Sequence, residues 1–93
     1  MHCDIDFEYS GISQVLTELQ SAERVPLGAQ GKIFNALDRL RAARAPRDRI
    51  DAVEKISVSI YRWELALRRK DVPGEQSIRE QLNALAADWK VIQ

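Results

Sequence analysis

Val53, Ile56, Ile60, Trp63 and Leu67 recur at alternating steps of three and four residues, a spacing that describes one face of a helix packed along its length. Within it, Ile56-Ser57-Val58-Ser59-Ile60 also alternates like a strand and is rich in β-branched residues. The helical flanks carry the three-four pattern through this segment and decide for helix. The spacing predicts a helix over about 46–70, with Pro46 in the first turn, where its missing N–H costs nothing.

A second stripe, Val58, Tyr61 and Leu65, lies roughly opposite the first. One neighbour cannot bury both stripes. Either this helix is central and is contacted from both sides, which is the favoured expectation, or the second stripe is an interface for a second copy or a partner.

The remaining elements follow from the same periodicity. Ile12, Val15, Leu16 and Leu19 fall at i, i+3, i+4 and i+7 behind Ser10, a good N-cap residue, and predict a helix over about 11–24. Pro26, Gly28 and Gly31 interrupt the pattern, which resumes with Ile33, Phe34, Leu37 and Leu40 in a helix over about 30–44. Asp71-Val72-Pro73-Gly74 reads as a turn, and Ile78, Leu82, Leu85 and Trp89 give a last helix over about 74–91. Ile5, Phe7 and Tyr9 alternate with Asp4, Asp6 and Glu8, so residues 1–9 are expected as a short extended arm with no strand to pair with. The fold expected is all-α, a four-helix bundle-like arrangement forming a single helical domain over 1–93, with Trp63 and Trp89 largely buried.

Composition narrows the class of activity. At 93 residues, 45% hydrophobic and 30% charged, the chain reads as one folded domain rather than a disordered tail. Its 14 basic and 14 acidic residues balance, which argues against a generic nucleic-acid or membrane-surface binder. Cys3 is the only cysteine, so an internal disulfide and a cysteine-based zinc site are excluded. No apolar run approaches the roughly 18 residues needed to cross a bilayer. With a polar start unlike a secretory signal, a cytoplasmic location is expected.

That balance hides a sorted distribution. Residues 1–23 hold Asp4, Asp6, Glu8, Glu18 and Glu23 and no lysine or arginine, whereas Arg39, Arg41, Arg44, Arg47 and Arg49 crowd together. In an up-down bundle the first helix starts where the second ends, so Asp4, Asp6 or Glu8 is expected to approach one of these arginines. The arginines otherwise have three readings: they complement helix dipoles, contact nucleic-acid phosphates, or meet a protein partner with an acidic surface.

Catalytic signatures are weak. Gly28-Ala29-Gln30-Gly31-Lys32 resembles the end of a phosphate-binding loop, but the spacing is short and Ile33 stands where Ser or Thr would hold magnesium. His2 and Cys3, with Asp4 and Asp6, are metal-ligand types beside a chain end, and no cofactor or metal is expected. Asp51, Glu54 and Glu64 interleave with Lys55, Arg62 and Arg68 as solvated helix faces do. Arg47-Asp48-Arg49-Ile50-Asp51 and Ile78-Arg79-Glu80-Gln81-Leu82 resemble the AroQ-type chorismate mutases, all-helical enzymes that need several cationic groups converging on a dicarboxylate. Glu64 stands where a further cation would be expected, so no site residue is carried over from them.

The expectation is therefore a small non-catalytic protein-binding module, of the adaptor, inhibitor or immunity-type kind, including mobile-element inhibitors of host machinery. Arg39, Arg41, Arg44, Arg47, Arg49 and Tyr61 are its candidate partner-binding residues, and Val58, Tyr61 and Leu65 a possible homodimer seam. Nucleic-acid binding through Arg39–Arg49 is the alternative, and a small helical enzyme the remote one.

Overall fold

A computed structural model describes the backbone of residues 5–92 and the side chains of residues 5–90. Four helices, α1 (Ile5–Ser21), α2 (Ala29–Ala42), α3 (Arg47–Arg69) and α4 (Val72–Ile92), account for its regular structure, with no strand among the described residues. Each helix packs on its chain neighbours, and α1 closes the ring against α4; the backbones of the diagonal pairs α1–α3 and α2–α4 stay apart, and those helices meet through side chains alone. This is an all-α, up-down bundle.

The first stripe of α3 is the centre of the core. Val53, Ile56, Ile60 and Trp63 are fully buried, with Leu67 packed partly buried beside them. Around them close Ile12, Leu16 and Leu19 of α1, Ile33, Leu37 and Leu40 of α2, and Leu82, Ala86 and Trp89 of α4. Both tryptophans are buried as expected, Trp63 at 0% and Trp89 at 1% exposure.

The extended arm is corrected: α1 already runs from Ile5. Ile5, Tyr9, Ile12, Leu16 and Leu19 form a stripe with steps of four and three, so the helical face of residues 12–19 continues backwards by two turns. Phe7, the middle member of the apparent alternation, is left 69% exposed, and Ser10 lies inside the helix rather than capping it. An isolated strand would leave its backbone groups without partners, whereas the helix satisfies them locally. The part of the expected arm at residues 1–4 lies outside the described residues.

The helix ends set the turns. α2 and α3 both stop in a left-handed residue that is not glycine, Arg44 and Lys70, each with φ 55°. In each case the next residue's N–H reaches back five positions, Ala45 to the Leu40 carbonyl at 3.0 Å and Asp71 to the Ala66 carbonyl at 2.9 Å. Asp71 then caps α4, its Oδ1 accepting the Gly74 N–H at 3.1 Å, which is why α4 starts at Val72 rather than at Gly74.

At 1.5 Å per residue α3 is about 34 Å long and α2 about 21 Å, so the α3–α4 hairpin projects past the shorter pair within a body of 45 × 24 × 19 Å. No described helix is long and apolar enough to cross a membrane.

Candidate functional site

The arginine cluster is largely absorbed by the bundle. Arg39 donates its Nε–H to Glu8 at 2.6 Å, the pairing of acidic α1 with the α2 end that the topology required. Asp6 is exposed, and Asp4 lies outside the described residues. Arg41 donates to Glu54 of α3, also at 2.6 Å. Arg49 lies over the Tyr9 ring at 4.9 Å and the Trp89 ring at 5.4 Å, while those rings meet edge to face at 5.3 Å. Trp89 in turn donates its indole N–H to Ser13 at 3.0 Å. Burial pushes the Tyr9 hydroxyl above its ordinary pKa, and the Arg49 charge opposes that rise.

Only Arg44 and Arg47 of the cluster face water freely. Arg44 is exposed in the α2–α3 turn, and the Arg47 side chain is 92% exposed, with Asp51 no closer than 3.9 Å.

The second stripe of α3 is corrected too, because it is not buried within the chain. Val58 is 52% and Tyr61 55% exposed, with Leu65 half-buried. In a ring of four, α2 and α4 flank α3 and leave its outer third bare. Phe34, counted with the apolar pattern of α2, is also outside the core at 49% exposure. Gln30 bonds Ser57 and Arg41 bonds Glu54 on the side of α2 that Phe34 shares, so Phe34 lies along the same α2–α3 seam as Tyr61.

Two open grooves run along the α3–α4 side of this face. One of about 600 Å³ is lined by Asp51, Lys55, Val58, Leu85 and Asp88 among others. The second, about 300 Å³, holds Leu65, Ala66, Arg69 and Ile78, and both include Arg62 and Gln81. Arg62, Arg68, Arg69 and Lys70 form no ion pair among the described residues. These four gather near the C-terminal end of α3 beside Tyr61, with Arg44 and Arg47 at the other end, while Arg24, Lys32, Lys55 and Lys90 are exposed elsewhere and likewise form no ion pair among the described residues. The signal for this in the sequence was the run Arg68-Arg69-Lys70, which helix-dipole chemistry also explains.

The remaining motifs occupy other roles. Gly28 has φ 84° and starts α2, so Lys32 belongs to the first turns of a helix with no strand before it. Arg49 and Arg79 of the two enzyme-like segments brace different tryptophans, Arg79 lying 5.2 Å over Trp63 and 3.9 Å from Glu75. Arg49 and Trp63 stand about 21 Å apart along α3, so these two arginines do not converge on one point. His2 and Cys3 lie outside the described residues, as does Asp4. The chain matches no protein family, no curated protein and no solved structure.

Proposed function

We propose that the protein is a non-catalytic protein-binding module, an adaptor, inhibitor or immunity-type protein that acts by covering a partner's surface with the outer face of α3. The observation that carries this is the exposure of Val58, Tyr61 and Phe34 on one side of the bundle, next to Arg62, Arg68 and Arg69, which form no ion pair among the described residues. Aromatic anchors flanked by arginines are the composition that interfaces favour, and guanidinium groups suit an acidic partner through bidentate contacts. Residues 1–93 act as one helical domain, and the lone Cys3 fits a reducing, cytoplasmic setting. The same face is open to a second copy of the chain.

The test is capture from cells of the source organism, identification of the bound protein, and titration of that purified protein against variants. Tyr61→Ala and Val58→Asp weaken binding by at least about 10-fold if this face is used. Unchanged affinity in both variants removes the reading. Binding to DNA or RNA at low salt that is lost on raising the salt would favour the nucleic-acid alternative instead.

A further inference from the structure

We infer that the seam between α1 and α2 holds a binding site for a free α-amino acid with an apolar side chain of leucine or phenylalanine size. The site lies across the ring from the α3–α4 grooves and does not depend on what the outer face of α3 binds. A slot of about 170 Å³ opens there, narrower and more enclosed than those grooves. Its floor is apolar, made by the buried Ile12, Val15, Ile33 and Ala36. Gly11 keeps the slot open: it forms part of the wall, and a Cβ built on it would meet no atom within 4 Å. A cavity of about 150 Å³ accepts a benzene-sized group, so one leucine or phenylalanine side chain fits.

The charges on the rim decide the rest. Glu8 and Glu18 of α1, about 15 Å apart along the helix, border the slot on one side, and Arg39 and Lys32 of antiparallel α2 border it on the other. At one end Arg39 holds the buried Glu8 carboxylate at 2.6 Å. At the other end Glu18 and Lys32 are both exposed and belong to opposite helices, yet their side chains form no ion pair among the described residues. A ligand with a single charge is attracted by one of them and repelled by the other. A zwitterion satisfies both, its ammonium against Glu18 and its carboxylate against Lys32, while its side chain runs along the slot towards Gly11 and Ala36. The Glu8–Arg39 pair bounds the far end and sets the length of side chain that fits. A ligand this small, in a slot open on one side, binds with a dissociation constant on the order of 1 mM.

Titration of the isotope-labelled intact chain with L-leucine, followed by amide NMR shifts, tests this. Saturable shifts are expected at Gly11, Val15, Lys32 and Ala36. The same carbon skeleton with only one charge, 3-methylbutylamine or 4-methylpentanoate, should bind at least about 10-fold more weakly, and Glu18→Gln and Lys32→Met should each weaken leucine binding by about as much. Gly11→Leu fills the slot from the chain itself, has open space for its side chain, and should abolish the shifts. Circular dichroism melts check that all three variants remain folded. The absence of saturable shifts up to about ten times the expected dissociation constant overturns the site. Amine or acid binding as tightly as leucine, or leucine binding unchanged in Gly11→Leu or in both charge variants, overturns the placing of a zwitterion in this slot.

Discussion

Glu8 of α1 accepts the Nε–H of Arg39 at 2.6 Å with its own side chain only 9% exposed, while Arg39 remains 52% exposed. Arg41 and Glu54 make an ion pair of the same length, yet their side chains are 52% and 43% exposed. Equal distance does not mean equal value. The Glu8 carboxylate has given up water, so an arginine-free neighbour would leave a desolvated charge, whereas Glu54 would simply be rehydrated.

Arg39→Ala is accordingly expected to destabilise the protein by about 1–2 kcal/mol, lowering Tm by roughly 5–15 °C for a domain of this size. Arg41→Ala should cost under about 1 kcal/mol. Thermal or urea melts of the two variants side by side give the comparison, and equal losses would show that burial of Glu8 is not what gives the first pair its strength.

The helices and their inner faces were legible because three-four spacing is set by backbone geometry alone, and Val53 to Leu67 has no competing period long enough to overturn it. Residues 5–9 misled because a five-residue stretch satisfies both a period of two and, through Ile5 and Tyr9, the helical step of four. Whether Val58 and Tyr61 are covered depends on how many helices surround α3, which no pattern within α3 encodes. The fate of the arginines was legible only in part. Topology placed acidic α1 beside the end of α2, but the cage of Tyr9, Trp89 and Arg49 joins three separate helices and left no local trace.

Backbone conformation makes a set of glycine exchanges diverge in sign. Gly11 and Gly31 lie inside α1 and α2 with no atom within 4 Å of an added Cβ, so alanine at either should stabilise by about 0.5–1 kcal/mol. At Gly74 the same methyl group would land on the Asp71 carboxyl group and displace the α4 cap, offsetting the gain with a loss of about 1 kcal/mol. Conversely, Arg44→Gly and Lys70→Gly relieve left-handed residues and should each stabilise by up to about 1 kcal/mol. Chemical denaturation of the five variants would show the ordering, and a stabilised Gly74→Ala would contradict the cap as described.

Tyr9 predicts an alkaline limb in stability. Burial raises its pKa above the ordinary 10.0, with Arg49 pulling the other way, so the folded state holds the phenol proton more tightly than the unfolded chain. That contribution is complete below pH about 10 and is lost as the pH rises through the folded value. Tyr9→Phe keeps the ring against Trp89 but removes the proton. The stability difference between wild type and Tyr9→Phe, followed by urea titration, should therefore shift against the wild type above pH about 10 and stay flat below it.

The bundle divides its arginines into bracing and available ones, and charge reversal tells them apart. Arg49 lies over two rings with its Nη1 buried, so Arg49→Glu would put a carboxylate against aromatic faces and is expected to unfold part of the population at room temperature. Arg47→Glu and Arg62→Glu project from exposed positions and should change stability by no more than about 0.5 kcal/mol. They differ in what they do to a bound acidic protein. Arg62 adjoins the exposed Val58 and Tyr61, so its reversal should slow association and weaken the complex at low salt, with the effect shrinking as salt is raised. Arg47, at the far end of α3, should change that affinity far less. Surface plasmon resonance at several ionic strengths reads both, and an Arg47 effect larger than that of Arg62 would move the interface to the opposite end of the bundle.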